Sequence, residues 1–172
     1  MATPAMMRAA VLSSDGCYRY HLARRWAEGA AVTFVMLNPS TADHHVDDPT
    51  IRRCVGFARA WGYGGLAVVN LFAWRATRPV DLGAAGDPVG PDNDEHLVAA
   101  ARDAVTAGAP LVAAWGAHAP AWRVEQVLAL PGMRGLTALA LTQAGHPRHP
   151  LYLRATLKPQ PWNTVEPING AA

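Results

Sequence analysis

The stretch Phe34-Val35-Met36-Leu37-Asn38-Pro39-Ser40-Thr41-Ala42-Asp43 decides how the rest of the chain is read. An apolar run stops abruptly at Asn-Pro, continues into small hydroxyl residues and ends on an acid. A buried strand reads this way when its C-terminal end opens into a loop. In open α/β sheets, ligands bind outside those carboxyl ends. The stretch therefore predicts a central strand over 31–37 and one piece of a ligand-binding rim over 38–47.

Downstream, Asp48-Pro49-Thr50 has the signature of a helix start, with Asp as N-cap and Pro in the first turn. Ile51, Cys54, Val55, Ala58 and Trp61 recur at the spacing of one buried helical face, and Gly62 ends the run. Leu66–Phe72 is apolar throughout except for Asn70, as befits a parallel strand covered on both faces. A buried Asn either bonds a neighbouring backbone or reads a polar ligand; left unpaired it costs about 1–3 kcal/mol. The connection over 73–90 carries Trp74, Arg75 and Arg78, which suit either loop packing or contact with a base and a phosphate.

A second helix opens at Pro91-Asp92-Asn93-Asp94-Glu95, where Asp92 and Glu95 have capping-box spacing. Leu97, Ala100, Ala101, Ala104 and Val105 form its apolar stripe. A third strand over 111–115 runs into Gly116-Ala117-His118-Ala119, small residues whose backbone N–H groups could approach an anion or carbonyl. The helix after it continues to about Leu130. A fourth strand over 136–141 opens into a stiff cationic loop with His146, Arg148 and His149. Upstream, 7–13 and 17–22 flank Ser14-Asp15-Gly16 and read as an antiparallel hairpin. Its Arg19, Arg24 and Arg25 read as a solvated edge that discourages aggregation, with phosphate contact as the alternative.

Alternating strands and helices give an α/β fold. The expectation is a three-layer α/β/α domain spanning 1–172, with a central four-stranded parallel sheet. The N-terminal hairpin (1–30) lies at its edge, and an irregular tail (155–172) closes the chain. The composition, 51% hydrophobic and 16% charged, supplies a core and argues against disorder. A net charge of +2 permits phosphate contact without predicting it. Cys17 and Cys54 are too few for an iron–sulfur cluster or a zinc finger and read as free buried thiols. No signal peptide or membrane-spanning run is evident, so a cytoplasmic protein without membrane partners is expected.

The four strand ends bring Asn38, Pro39, Ser40, Thr41 and Asp43 to one rim with Asn70, Arg75, Gly116, His118, His146 and His149. No nucleophile elbow or glycine-rich phosphate loop is spelled out. His44, His45, His146 and His149 do not match a standard metal-ligand spacing. Neither a metal nor another cofactor is expected.

The pieces Met36-Leu37-Asn38-Pro39-Ser40-Thr41-Ala42-Asp43, Asp47-Asp48-Pro49-Thr50-Ile51-Arg52-Arg53, Asn70-Leu71-Phe72-Ala73, Trp115-Gly116 and His149-Pro150-Leu151 look like a widespread bacterial and phage family carried as a domain of unknown function. More distantly, their order resembles the uracil-DNA glycosylase superfamily. That resemblance implies a fold of the same kind. It makes Asn38 the residue that positions the attacking water, Asn70 the reader of the base edge and His149 the support of the leaving base. Ser40 stands where one branch of that superfamily has Gly, and Leu151-Tyr152-Leu153 replaces a Ser-containing loop. Asp43 would serve as an alternative general base or cap the loop.

The resemblance implies an N-glycosidase that removes a base from nucleic acid or a nucleotide. Asn38, Asp43 and His149 would be catalytic, and Pro39, Ser40, Thr41, Asn70, Arg75, Gly116 and His146 would bind substrate. The alternative is a binding module that holds a nucleotide or nucleic acid on the same fold without cleaving it. Base extrusion and a placed water suit these residue types and need no metal.

Overall fold

The computed structural model describes residues 5–43 and 45–162. Expectations that fall on residues 1–4, on His44 and on the tail beyond 162 lie outside the described residues. The fold is mixed α/β, built on one seven-stranded sheet in the order β1-β2-β4-β3-β5-β6-β7. The strands are β1 (Met7–Leu12), β2 (Arg19–Arg25), β3 (Ala31–Met36), β4 (Gly65–Asn70), β5 (Leu111–Ala113), β6 (Thr137–Ala138) and β7 (Gln160–Pro161). The four predicted parallel strands form its centre, with β4, β3, β5 and β6 paired in parallel. The hairpin β1–β2 joins antiparallel to β4.

The sheet is wider than the expected four strands plus hairpin. β7 adds antiparallel to β6, within a tail that was expected to be irregular. Pro161 is tolerated there because an edge strand has one unpaired side. β6 is also shorter than the apolar run over 136–141 suggests. Beyond Ala138 the chain turns to its own loop instead of β5: Leu141 bridges Pro147, and Arg148 N–H donates to the Ala140 carbonyl at 2.9 Å.

Strand periodicity sends successive side chains to opposite faces. Val32, Phe34 and Met36 join Leu66 and Val68 against helix α1 (Pro49–Ala60) through Ile51, Cys54, Phe57 and Ala58. Val35, Leu37, Val69 and Leu71 pack on the other face against α2 (Asn93–Thr106) and α3 (Ala121–Ala129). Two apolar cores, one on each face, make this a three-layer arrangement. Asp48 caps α1 as expected, accepting from Ile51 N–H at 2.8 Å. Asp92 does not cap α2. Instead the buried Asn93 donates from Nδ2 to the Asn70 and Leu71 carbonyls at 3.0 and 3.1 Å, tying the helix start to the end of β4.

The hairpin is more than a charged edge. Arg24 is 1% exposed and its Nε meets Asp47 Oδ1 at 2.7 Å, while Arg8 Nη1 meets Asp47 Oδ2 at 3.0 Å. Arg24 Nη2 also donates to the Asp43 carbonyl. These arginines clamp the loop that follows β3. Only Arg25 fits the solvated-edge reading, with its guanidinium bonded to the local Ala27 and Gly29 carbonyls. Of the two thiols, Cys54 is buried as expected, whereas Cys17 is only half-buried.

Candidate functional site

At the C-terminal ends of β3 and β4, the α1-side core gives way to a cavity of about 730 Å³. Met36 and Asn70 are register partners on the parallel pair, and both line it. Periodicity explains their placement. Asn70 continues the Leu66–Val68 series onto the α1 face, at the position where another apolar residue would complete the core. The remaining wall comes from the start of α1, the loop after β5 and the segment around His149.

Asn38, Ser40, Thr41, Asn70, Gly116 and His149 all line this one cavity. Asn38 donates from Nδ2 to the Pro39 and Ala76 carbonyls at 3.0 and 2.8 Å. The two carbonyls fix the amide orientation and leave Oδ1 as its acceptor. Asn70 is 1% exposed, and its Nδ2 has no partner among the described residues. Its own carbonyl is one of those held by Asn93, so the strand end is rigid while the amide is unspent.

His149 Nδ1 accepts from Leu151 N–H at 3.3 Å. That bond puts the proton of the neutral ring on Nε2. Burial holds the imidazole below its ordinary pKa, with the Asp48 carboxylate pulling the other way. Gly116, at φ +80, N-bonds the Pro147 carbonyl at 2.9 Å, and a Cβ there would lie 3.6 Å from the His149 Cβ. Its role is thus to fasten the His149 segment to the end of β5. Its N–H is not available to a ligand.

Other expected residues lie elsewhere. Asp43 Oδ1 accepts from His45 and Val46 N–H at 2.7 and 3.0 Å, which is the loop-capping alternative, and Asp43 does not line the cavity. Arg75 points to the hairpin turn, donating to the Gly16 carbonyl at 3.2 Å. Trp74 packs edge-on against Tyr18, with centroids 5.4 Å apart. These two residues hold the start of the 73–90 connection to the hairpin through Cys17 and Tyr18, while Ala76 further along donates to the Pro39 carbonyl and lines the cavity with Thr77 and Pro79. Pro39 is buried behind Asn38, accepting from Ala76 N–H, and His146 sits in a turn closed by Thr142; neither lines the cavity.

Among the lining residues that sequence reasoning did not name as site residues, two are charged and buried or half-buried. Asp48, read only as a helix cap, is the one carboxylate among the described lining residues. Arg19, read as an edge charge with phosphate contact as the alternative and not placed on the rim, is 2% exposed and lines the cavity. The cause is a β-bulge. Val11 pairs with His21 but Leu12 pairs with Arg19, so Tyr20 is an extra residue in β2. The bulge moves Arg19 onto the same face as Leu22 and sends Tyr20 and His21 toward α2, where Tyr20 stacks on His96 at 5.0 Å. Arg19 Nη1 donates to the Ala42 carbonyl, and its Nε has no partner among the described residues. Burial lowers its pKa to about 10, against the pull of Asp48, so it remains a cation at neutral pH. Trp115 also lines the cavity; it is 2% exposed, packs edge-on against Trp162 in the α2/α3-side core, and its Nε1 has no partner among the described residues.

Among the described residues no group of three or more His, Cys, Asp and Glu is arranged to hold a metal, and no helix is long and apolar enough to cross a membrane. A family profile described as a protein of unknown function (DUF1643) matches residues 19–151. No curated protein and no solved structure matches the chain.

Proposed function

The chain belongs to the DUF1643 family of proteins of unknown function, and for this member we propose an N-glycosidase that removes a nucleobase from a nucleotide or nucleic acid. One observation carries the reading. Arg19, Asn70 and Trp115 all line one cavity, and each has a buried N–H donor without a partner among the described residues. A buried donor left unmade costs about 1–3 kcal/mol, so three on residues that line one cavity favour a ligand rich in acceptors. A nucleobase has carbonyl oxygens and ring nitrogens in one plane, and 730 Å³ is the size of a small-molecule site. The resemblance of the Asn38, Asn70 and His149 segments to the uracil-DNA glycosylase superfamily supports the same choice, as does their meeting in one cavity.

In this reading Asn70 bonds the edge of the base. Asn38 Oδ1 accepts from a water and aims its oxygen at C1′ of the sugar. The C1′–N bond breaks as the C1′–O bond forms, and its electron pair leaves with the base. The Nε2–H of His149 donates to the departing base where that charge collects. Asp48 takes the proton of the attacking water, a role the notional alternative base Asp43 is not placed for. Ser40 and Thr41 contact the sugar side.

The test is a base-release screen over nucleotides and oligonucleotides carrying common and deaminated bases. Wild type is expected to free at least one base. Asn38→Ala and His149→Ala should each lower the rate by roughly a hundredfold or more. Release at the wild-type rate in both variants, or tight ligand binding with no release from any substrate, contradicts the proposal.

A further inference from the structure

We propose that Arg19 seats a phosphate of the ligand, so that this cavity takes a phosphorylated nucleoside in preference to a free nucleoside or base. The nucleoside part rests on the N-glycosidase reading; the phosphate part stands on Arg19 itself.

A guanidinium that is almost wholly buried needs a compensating anion, because burying a charge without one is expensive. The other buried arginines of this chain have theirs: Arg24 pairs with Asp47 at 2.7 Å and Arg123 with Asp94 at 2.5 Å. Arg19 has no carboxylate within ion-pair distance among the described residues, and its Nε donates to nothing. Among the described residues only the Ala42 carbonyl accepts from it. The bulge at Tyr20 is what brings it to the cavity, and without that extra residue the same side chain would face α2. Hydroxyls of Ser40, Thr41 and Thr50 line the same cavity, and Thr50 lies in the first turn of the 12-residue helix α1, where the helix dipole favours negative charge. A fork of N–H donors beside hydroxyls suits a tetrahedral oxyanion. Asp48 opposes it, being a carboxylate in the same wall, although its Oδ1 is engaged by Ile51 N–H.

Binding is measured by titration calorimetry at constant ionic strength and pH 7, without turnover. The probes are inorganic phosphate, a nucleoside, its 5′-monophosphate and a short single-stranded oligonucleotide. Wild type should bind phosphate saturably and bind the monophosphate at least tenfold tighter than the nucleoside. Arg19→Gln should remove that difference, Arg19→Lys should restore part of it, and Arg25→Gln, an equal change in net charge outside the cavity, should leave it intact. Asp48→Asn, which keeps a capping side chain, should tighten phosphate severalfold.

Displacement of phosphate by the monophosphate assigns the group to a free nucleotide, and displacement only by the oligonucleotide assigns it to a polymer backbone; either supports the site. Equal affinity of wild type for nucleoside and monophosphate, with no displacement of phosphate by the oligonucleotide, overturns the proposal, as does unaltered phosphate binding in Arg19→Gln. Should Arg19→Gln fail to fold, the wild-type ratio and displacement decide alone. A protein that binds phosphate through Arg19 yet frees no base keeps this site and loses the glycosidase reading. One that frees base from nucleoside and monophosphate with equal kcat/KM does the reverse.

Discussion

Asn70 is the residue at which stability and function diverge. It follows Leu66 and Val68 along the α1 face, is 1% exposed, and its amide nitrogen has no partner among the described residues. An apolar residue of similar size would satisfy the core better. Asn70→Leu should therefore leave the melting temperature unchanged or raise it by a few degrees, since relieving about 1 kcal/mol moves a domain of this size by roughly 2–4 °C. The same variant should lose base release. A thermal melt checks the first part, and a fall of several degrees would show that the amide has a structural bond. The sequence exposed this residue because a polar side chain interrupts an apolar strand. It hid Arg19 because strict alternation places Arg19 opposite Leu22, and only the extra residue Tyr20 reverses the face. A bulge leaves no compositional mark in Cys17-Tyr18-Arg19-Tyr20-His21-Leu22.

At the scale of elements, the hairpin organises the rim. Arg24 and Arg8 hold Asp47 from two strands, and Arg24 also reaches the Asp43 carbonyl. Arg24→Ala strips the buried half of this clamp and should cost about 3 kcal/mol in urea denaturation, the usual penalty for breaking a buried pair. A loss under 1 kcal/mol would mean that Arg8 alone carries the loop. At the start of α1, Asp48→Ala should cost about 1 kcal/mol, while Asp48→Asn should cost far less. The helices and central strands were legible because their signals are local: Asp48-Pro49, the apolar stripe through Ile51, Cys54 and Ala58, and the unbroken run at 66–72. β7 was not, since Gln160–Pro161 has no strand signature and pairs only because β6 offers it an edge. The fates of Asp43 and Arg75 were equally non-local. Each has the chemistry of a site residue, but backbone partners at Val46 and Gly16 claim their side chains.

For the whole molecule, two histidines couple the fold to acidity. Burial depresses the pKa of His149, partly offset by Asp48. Burial also depresses that of His21, with His96 adding to the effect and Asp103 opposing it. The unfolded chain then binds protons that the folded chain refuses, beginning near the ordinary histidine value of about 6.5. Stability should be level above that value and fall as the pH drops below it, until the folded-state values are passed. The melting temperature should thus decline as the pH falls from about 6.5 to 5.5, and His21→Gln with His149→Gln should flatten the decline. An unchanged slope in the double variant would assign the effect to other groups.

The central claim is that the donor-rich cavity between β4 and α1 acts on a nucleobase. Its most direct test is single-turnover base release by wild type and by Asn70→Leu, both verified as folded by thermal melting. The account predicts release by wild type and a loss of about a hundredfold or more in the variant at an equal or higher melting temperature. Equal release by the two proteins would contradict it.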